Sequence, residues 1–277
     1  MLRPVSDTKN AVELVRLDRD HPGFRDPAYR ARRDEIAHVA LSYRLGDSVP
    51  DVAYTEVERS VWQVAGEHLA PLHARYACRE YLEGRHRLPL EAQRIPQLSE
   101  VGAWLTPLTG FRLWPVAGLV SPRTFLTFLA RRVFLSTQYL RHHSAPLYTP
   151  EPDVIHEIVG HAPLLAHPAV AELNRLFGEV AERAPESQAD RLIRLYWYTL
   201  EFGLVREGGA LKAIGAGLLS SSGELGRIES AATLRPADLD AIAETPFDPT
   251  DYQGTLFVAE SSEALIRDLT GWLRAFA

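Results

Sequence analysis

Apolar and polar residues are distributed along most of this chain as in amphipathic helices. From Pro27 to about Leu45, apolar and aromatic side chains recur at three- and four-residue steps, the spacing of one helix face. Similar spacing predicts further helices, the first of them broken at Pro71 because proline interrupts backbone hydrogen bonding. These helices span 55–83, 96–107, 122–142, 151–161, 168–183, 187–206 and 261–276. We therefore predict a mainly α-helical single domain with a few short β-strands.

Other segments lack helical spacing. Residues 110–121 are rich in aromatic and β-branched side chains and contain Pro115, which predicts a short strand or an irregular loop. Residues 256–258 predict a second short strand, whereas residues 212–225 are too glycine-rich for a regular helix interior. Residues 1–20 are polar and mixed, so we expect an extended lead-in there.

Composition narrows the class of protein. The chain has 277 residues, 46% hydrophobic and 24% charged, which excludes collagen-like, low-complexity and largely disordered proteins. The net charge is −6 and the basic residues are spread along the chain, so no nucleic acid partner is expected. No apolar run approaches a membrane span and the first residues lack a signal-peptide core. We therefore predict a cytoplasmic protein that does not enter membranes.

Two histidines five residues apart, His156 and His161, are the most informative pair in the chain. A zinc-protease helix places its two histidines four residues apart, so that both rings share one face. On an ideal α-helix five steps place the rings roughly 140° apart. One metal ion can bind both only if the helix ends or distorts, which Gly160 permits. The other histidines, His142 and His143 among them, are interpreted as ordinary core or surface groups.

A third ligand is available in Glu201, which lies within an aromatic and aliphatic run. A carboxylate is costly to bury there unless it is paired or bound to a metal ion. Two histidines and one carboxylate that leave other coordination positions open are typical of non-haem Fe(II) oxygenases. The residues alone leave two alternatives open, a zinc hydrolase and a non-catalytic ligand-binding protein.

Eight stretches of the sequence, in a fixed order along nearly the whole chain, resemble the catalytic domain of the pterin-dependent aromatic amino acid hydroxylases. Some are long and specific, such as TPEPDVIHEIVGHAPLL at 149–165 and HPGFRDPAYRARR at 21–33. The other stretches are IPQL (95–98), TGFRL and PVAGL (within 109–119), RVF and STQYLRH (within 132–142), LYWYTLEFGL (195–204), GAGLLSSSGEL (215–225) and VAES (258–261).

The resemblance implies a mainly helical catalytic domain that uses Fe(II), tetrahydrobiopterin or a related tetrahydropterin, and O₂ as co-substrate. It makes His156, His161 and Glu201 the iron ligands. The residues implied to lie at the pterin are Gly118 and Val120 through their backbone, Phe125 by stacking, Glu157 through water, and Tyr196, which is also expected near the iron.

The same resemblance implies the residues that hold the amino acid substrate. Arg141 and Thr149 are expected to bind its carboxylate with help from Ser220, and a guanidinium suits a carboxylate because its planar fork offers two hydrogen bonds. Pro150 and Trp197 are expected to wall the aromatic ring. Asp153, three residues before His156, is a candidate supporting partner of the site.

The implied activity is ring hydroxylation of a free aromatic L-amino acid. Trp197 and the SSSGEL ending of the 215–225 stretch resemble the phenylalanine enzymes, so we predict conversion of L-phenylalanine to L-tyrosine. The alternatives are 3-hydroxylation of phenylalanine to meta-tyrosine and hydroxylation of tryptophan. The sequence departs from the family pattern at Trp114, Pro122 and Leu135, where arginine, serine and histidine are usual, and these departures affect the expected pterin contacts.

The resemblance covers the catalytic domain alone, over residues 1–277. No stretch resembles the regulatory domain or the tetramerisation segment of the animal enzymes, so we expect a monomer whose partners are the small-molecule amino acid and pterin.

Overall fold

The computed structural model describes residues 17–230, 232–249 and 251–276, so most of the expected lead-in at 1–20 lies outside the described residues. The α-helices are α1 (Pro27–Ser42), α2 (Glu56–Tyr76), α3 (Arg79–Arg87), α4 (Leu98–Thr109), α5 (Pro122–Leu129), α6 (Ala162–Leu165), α7 (Pro168–Arg183), α8 (Glu186–Tyr196), α9 (Ala216–Ser220), α10 (Ser222–Leu225), α11 (Leu239–Glu244) and α12 (Ser262–Ala275). The described residues also form two π-helical segments, π1 (His156–His161) and π2 (Trp197–Glu201). The predicted helical fold class is confirmed.

Within the described residues, six short strands form two small sheets. They are β1 (Arg112–Pro115), β2 (Val133–Ser136), β3 (Leu204–Glu207), β4 (Ala210–Ala213), β5 (Thr233–Pro236) and β6 (Thr255–Ala259). β1 pairs with β2 in parallel, and the second sheet has the order β4-β3-β6-β5. The β3–β4 hairpin turns at Gly208 and Gly209, whose φ angles of 57° and 84° suit a two-residue turn that requires positive φ at both positions.

One large apolar cluster connects nearly all of these elements. Within it α5 packs against α7, α3 against α6, and the short helix α9 against π1. The two π-helical segments lie inside this cluster, since Ile158 and Leu200 are buried in it. The core therefore surrounds the segments that carry His156, His161 and Glu201. Within the described residues no helix combines the length and the apolar character needed to cross a bilayer.

The helix predicted over 122–142 is wrong beyond its first half. α5 ends at Leu129, and Arg132 has a left-handed φ of 53°, which a right-handed helix cannot contain. β2 follows and pairs with β1, with every one of its residues buried. Sheet pairing outweighs helical spacing here because the aromatic and β-branched side chains fit a buried strand. Residues 137–142 then run without helix or strand through the interior.

The predicted ends of two other helices also differ from the structure. The segment 187–206 is α8 followed by π2, and it becomes β3 at Leu204 because that strand pairs with β6. The segment 151–161 becomes helical only at Val154 and is π-helical from His156.

The break expected at Pro71 does not occur, because α2 continues through that residue to Tyr76. Pro71 and Glu67, whose carbonyl loses its partner, are both exposed, so water can satisfy that carbonyl. The helix ends instead at Tyr76, and the next residue, Ala77, forms an isolated parallel β-bridge with Ala213. A capping box between Thr55 and Glu58 begins the helix, satisfying two of its free backbone N–H groups.

Candidate active site

Three metal-ligating side chains converge in the interior. The Nε2 atoms of His156 and His161 lie 3.0 Å apart, and Glu201 oxygens lie 3.0 Å from His161 Nε2 and 3.6 Å from His156 Nε2. Metal–ligand bonds of about 2.1 Å at right angles would place neighbouring donors about 3.0 Å apart. The donor set therefore fits one ion bound on one face, with the remaining positions open.

The π-helical backbone explains how histidines five residues apart reach the same ion. In π1 the Ala162 N–H donates to the Glu157 carbonyl, and at the end of π2 the Phe202 N–H donates to the Trp197 carbonyl. These bonds join residues five apart, so such residues become neighbours on one face. The angular separation expected for an ideal α-helix therefore does not apply. All three ligands lie on π-helical turns, a type of turn frequent at functional sites.

Gly160 serves close packing as well as helix geometry. A Cβ atom at Gly160 would lie 2.6 Å from the Ala216 carbonyl oxygen, and one at Gly215 would lie 2.3 Å from the Glu201 carbonyl oxygen. A side chain at either position would push α9 away from π1 or π2. The glycine-rich segment predicted not to be a regular helix thus contains the short helix α9, which is held against both ligand-bearing turns.

The Ser220 hydroxyl contacts His156 and the backbone of its own segment rather than facing a site for the substrate. It donates to the Gly217 carbonyl at 3.2 Å and lies 2.9 Å from His156 Nδ1. The hydroxyl can then accept a hydrogen bond from Nδ1–H, which leaves the Nε2 lone pair of His156 for a metal ion. Ser220, which was expected to help hold a substrate carboxylate, is therefore positioned to orient the His156 ring.

Burial and mutual contact set the charges of the three side chains. Burial, followed by the neighbouring His161, lowers the pKa of His156 to about 4, so its ring is neutral at physiological pH. Burial also opposes protonation of His161, but contact with the Glu201 carboxylate outweighs burial and raises its pKa. Burial favours neutral Glu201, yet the His161 contact outweighs it and lowers that pKa.

Arg141 and Asp153 form a buried ion pair next to these ligands. The Asp153 carboxylate accepts from Arg141 Nε at 2.9 Å and Nη2 at 2.8 Å, and from the His156 backbone N–H at 3.1 Å. Burial alone would raise the pKa of Asp153, but the Arg141 guanidinium outweighs it and lowers that pKa. Asp153 thus connects π1 to Arg141, the arginine expected to bind the substrate. It occupies one edge of the Arg141 guanidinium.

Glu157 lies in π1 between the two histidines but is not one of the clustered donors. Its Oε1 accepts from the backbone N–H and the hydroxyl of Thr137, each at 3.2 Å. Burial raises the pKa of Glu157 to about 8, which favours a neutral carboxyl group that can donate a hydrogen bond.

Four of the residues expected at the pterin lie in the loop before α5, in α5 and at the end of α8. Gly118 and Val120 are half-buried in the loop between β1 and α5, and a Cβ atom at Gly118 would meet nothing within 4 Å. Phe125 packs edge-on against Tyr196 with centroids 5.7 Å apart. The Tyr196 hydroxyl donates to Asn174, a partner that sequence reasoning missed. The backbone at Gly118 therefore borders open space.

The three departures from the family pattern lie near Val120 and Phe125. Trp114 contacts Phe128 edge-on, and the buried Leu135 belongs to the same small apolar cluster. Pro122 is the first residue of α5, capped by Ser121. An apolar surface therefore replaces the usual arginine and histidine next to the pterin-side loop.

The residues expected at the substrate ring lie in π2 and in the segment that precedes π1. Trp197 stacks on Phe247 with centroids 4.2 Å apart and 13° between planes, and its Nε1 donates to Gln253. Pro150 is half-buried, and the Thr149 hydroxyl donates to the Glu151 carbonyl. The Thr149 hydroxyl is therefore engaged within its own turn.

Sequence reasoning also missed the contacts that anchor this turn. The buried Arg33 pairs with Glu151 at 2.9 Å, and its guanidinium carbon lies 3.2 Å from the centroid of the Tyr139 ring. Arg33 stands among the apolar positions of the α1 pattern, and a cation in such a place indicates a buried partner.

Comparisons with known proteins agree with this geometry. Residues 7–277 match the family model of the biopterin-dependent aromatic amino acid hydroxylases. Tyrosine 3-monooxygenase of Schistosoma mansoni is 42% identical over 97% of this chain and 60% of its own length. Phenylalanine-4-hydroxylase of Mus musculus is 46% identical over 88% of this chain and 55% of its own length. The chain thus spans little more than half of these relatives.

Solved structures give the same result. Phenylalanine hydroxylase from Chromobacterium violaceum, with bound iron(III) and 7,8-dihydrobiopterin, superposes with a TM-score of 0.76 at 31% identity, covering 88% of this chain and 90% of that one. The apo enzyme from Colwellia psychrerythraea gives a TM-score of 0.75 at 30% identity, covering 84% and 94%. The fold and the site define a helical protein with a two-histidine, one-carboxylate centre. The chain belongs to the biopterin-dependent aromatic amino acid hydroxylase family.

Proposed function

We propose that this chain is an Fe(II)- and tetrahydropterin-dependent monooxygenase that hydroxylates free L-phenylalanine to L-tyrosine. The observation that carries the proposal is the convergence of His156, His161 and Glu201 at 3.0–3.6 Å beside the Arg141–Asp153 pair. Bound iron and a tetrahydropterin would supply the electrons and the site for O₂ activation, as the hard chemistry of such enzymes belongs to the cofactor.

The protein's own contribution is to bind and orient. Asp153 holds the Nε and Nη2 side of Arg141, so a substrate carboxylate would meet the remaining Nη1–Nη2 edge of the fork. This edge still offers two parallel hydrogen bonds. The buried ion pair keeps the guanidinium in place before the substrate arrives, which limits the entropy lost on binding.

The aromatic side chains supply the ring-binding surface. The Trp197–Phe247 stack and Pro150 would contact the substrate ring, while Gly118, Val120 and Phe125 would hold the pterin. Tyrosine is the second candidate substrate, because a tyrosine 3-monooxygenase matches more of this chain than the phenylalanine hydroxylases do. The alternatives of meta-tyrosine formation and tryptophan hydroxylation are outcomes of the same experiment.

The test is anaerobic loading with Fe(II), followed by an aromatic amino acid, a tetrahydropterin and O₂, with chromatographic separation of products. Para-tyrosine from phenylalanine is the expected product, and His161→Ala is the inactive control. Meta-tyrosine, or turnover of tyrosine or tryptophan in preference to phenylalanine, would correct the substrate. No product from any of these amino acids with iron bound would contradict the proposal.

We propose further that the chain acts as a monomeric catalytic unit in the cytoplasm, with only the amino acid and the pterin as partners. Light scattering of the purified chain, with and without phenylalanine, measures the first point. A mass of twice the chain mass or more would contradict it.

A further inference from the structure

A second group of two histidines and one carboxylate lies apart from His156, His161 and Glu201. The ligand atoms of Asp26, His142 and His143 all lie within 4.8 Å of one another. His142 is buried, Asp26 is half-buried and His143 is exposed. The group therefore has a fixed inner side and a side open to solvent, from which an ion could enter.

The separation of two of the donors already suits a metal ion. His142 Nε2 lies 3.1 Å from Asp26 Oδ2, close to the separation of about 3.3 Å expected for neighbouring donors in a tetrahedral site with bonds of about 2.0–2.1 Å. Asp26 uses its other oxygen, Oδ1, to cap α1 through the N–H groups of Ala28 and Tyr29. The cap holds the carboxylate while leaving Oδ2 directed at the histidine.

The surroundings also orient the buried ring. Ser144 Oγ lies 2.7 Å from His142 Nδ1, and the Tyr29 ring packs edge-on at 4.9 Å. The Ser144 backbone N–H donates to His142 Nδ1 at 3.2 Å, so Nε2–H donates to Asp26 Oδ2. A bound metal ion would take the place of the proton at Nε2, and that proton would move to Nδ1, where the Ser144 hydroxyl can accept it. The His143 ring lies 4.2 Å from the His142 ring and supplies the exposed third donor.

We propose that Asp26, His142 and His143 form a second metal site, which binds Zn²⁺ separately from the iron-binding residues. Imidazole and carboxylate ligands suit this borderline ion, which takes four ligands in a tetrahedral arrangement. Water from the open side would complete the coordination. The two histidines treated as ordinary groups in the sequence therefore gain a binding role from an aspartate more than a hundred residues away.

A third cluster shows why proximity alone is insufficient. Within the part of the chain that the structure describes, Cys78, Glu80 and Glu207 also lie close together. The Cys78 side chain has no exposed surface, and burial raises the pKa of its thiol well above the ordinary value. Since the thiolate is the form that binds metal ions, this cluster is not proposed as a site.

The test is equilibrium dialysis of the chelator-treated, tag-free chain against Zn²⁺ at neutral pH, followed by metal analysis. The wild-type chain is expected to bind one more Zn²⁺ than His143→Ala. His38→Ala, which removes an exposed histidine from α1, is the matched control and should bind as many ions as the wild type. The criterion is a difference between chains, so it does not depend on whether the iron-binding residues also take Zn²⁺.

A second variant distinguishes the loss of a metal ligand from a disturbance of the local structure. Asp26→Asn keeps a side chain that caps helices well but removes the anionic ligand, and it should weaken Zn²⁺ binding at this site by about tenfold or more. Equal Zn²⁺ content in wild type and His143→Ala would overturn the proposal. So would loss of the same ion in His38→Ala.

Discussion

Two groups with the same donor chemistry occupy very different parts of this molecule. The proposed iron ligands His156, His161 and Glu201 lie on two π-helical turns inside the core. The surface group, Asp26, His142 and His143, lies at a helix start and on an irregular segment. Two histidines and a carboxylate therefore do not by themselves define an active site. The buried group adjoins an arginine and aromatic surfaces that can hold substrates, whereas the surface group opens to water.

The same contact between imidazole and carboxylate also has different effects at the two places. In the core, burial lowers the pKa of His156 to about 4, and Glu201 raises that of His161 against burial. At the surface, the hydrogen bond from His142 lowers the pKa of Asp26. Low dielectric strengthens both desolvation and pairing in the core, so the inner group is more sensitive to loss of one member.

The largest expected effect is that of His161→Ala. This change removes one of three ligands, and metal-ion catalysis contributes several kcal/mol to the transition state, so product formation should fall by about a thousandfold or more. The measurement is turnover together with iron content, with His38→Ala as the matched control. Undiminished turnover in the iron-free variant would refute the assignment of the three ligands.

Arg141→Lys should have the next largest effect. Lysine keeps the charge beside Asp153 but cannot offer the planar fork, and loss of a charged hydrogen bond costs about 1.5–3 kcal/mol. The KM for the amino acid should therefore rise by roughly 10–100-fold, while the KM for the pterin stays unchanged. A parallel rise in both KM values would instead indicate a general distortion of the site.

Ser220→Ala tests the support of the buried group. It removes the hydroxyl 2.9 Å from His156 Nδ1, and loss of such a partner lowers metal affinity by about 10–100-fold. Iron affinity is measured by competition with a chelator, and Ser222→Ala, on the neighbouring helix, is the control. Unchanged iron affinity in Ser220→Ala would mean that the ring is oriented by its packing alone.

Glu224 tests the effect of burial on a carboxyl group away from both metal-binding groups. Burial raises its pKa from 4.5 to about 7, so its contribution to stability is fully present below pH 4.5 and is lost as the pH rises through about 7. Between those values the wild type should lose about 1–2 kcal/mol relative to Glu224→Gln, allowing for its partial exposure. Denaturant unfolding at several pH values measures the difference, and parallel profiles for the two chains would contradict it.

The smallest expected effect is that of His143→Ala on catalysis. His143 is exposed and belongs neither to the three proposed iron ligands nor to the Arg141–Asp153 pair, so kcat and KM should not change when Zn²⁺ is absent. A large loss of turnover under those conditions would show that the surface group supports the active site directly.

The sequence by itself determined the fold class, the family resemblance and the residues that make up the buried group. Helical spacing located α1, α7 and α12, and a carboxylate within an apolar run pointed to Glu201. These features are local, because spacing along the chain and the cost of burying a charge are already visible in the residues. The Gly208–Gly209 pair also indicates the β3–β4 hairpin, but the helix predicted over 187–206 did not take it into account.

Only the tertiary structure decided how these residues meet. The i→i+5 bonds of π1 and π2, the turn of Ser220 toward His156, and the strand β2 inside a segment with helical spacing all depend on packing between distant segments. The same holds for Asp26 and His142, which are far apart in sequence and 3.1 Å apart in space. Spacing along a chain describes one element at a time, whereas a metal site is set by side chains from elements that the core brings together.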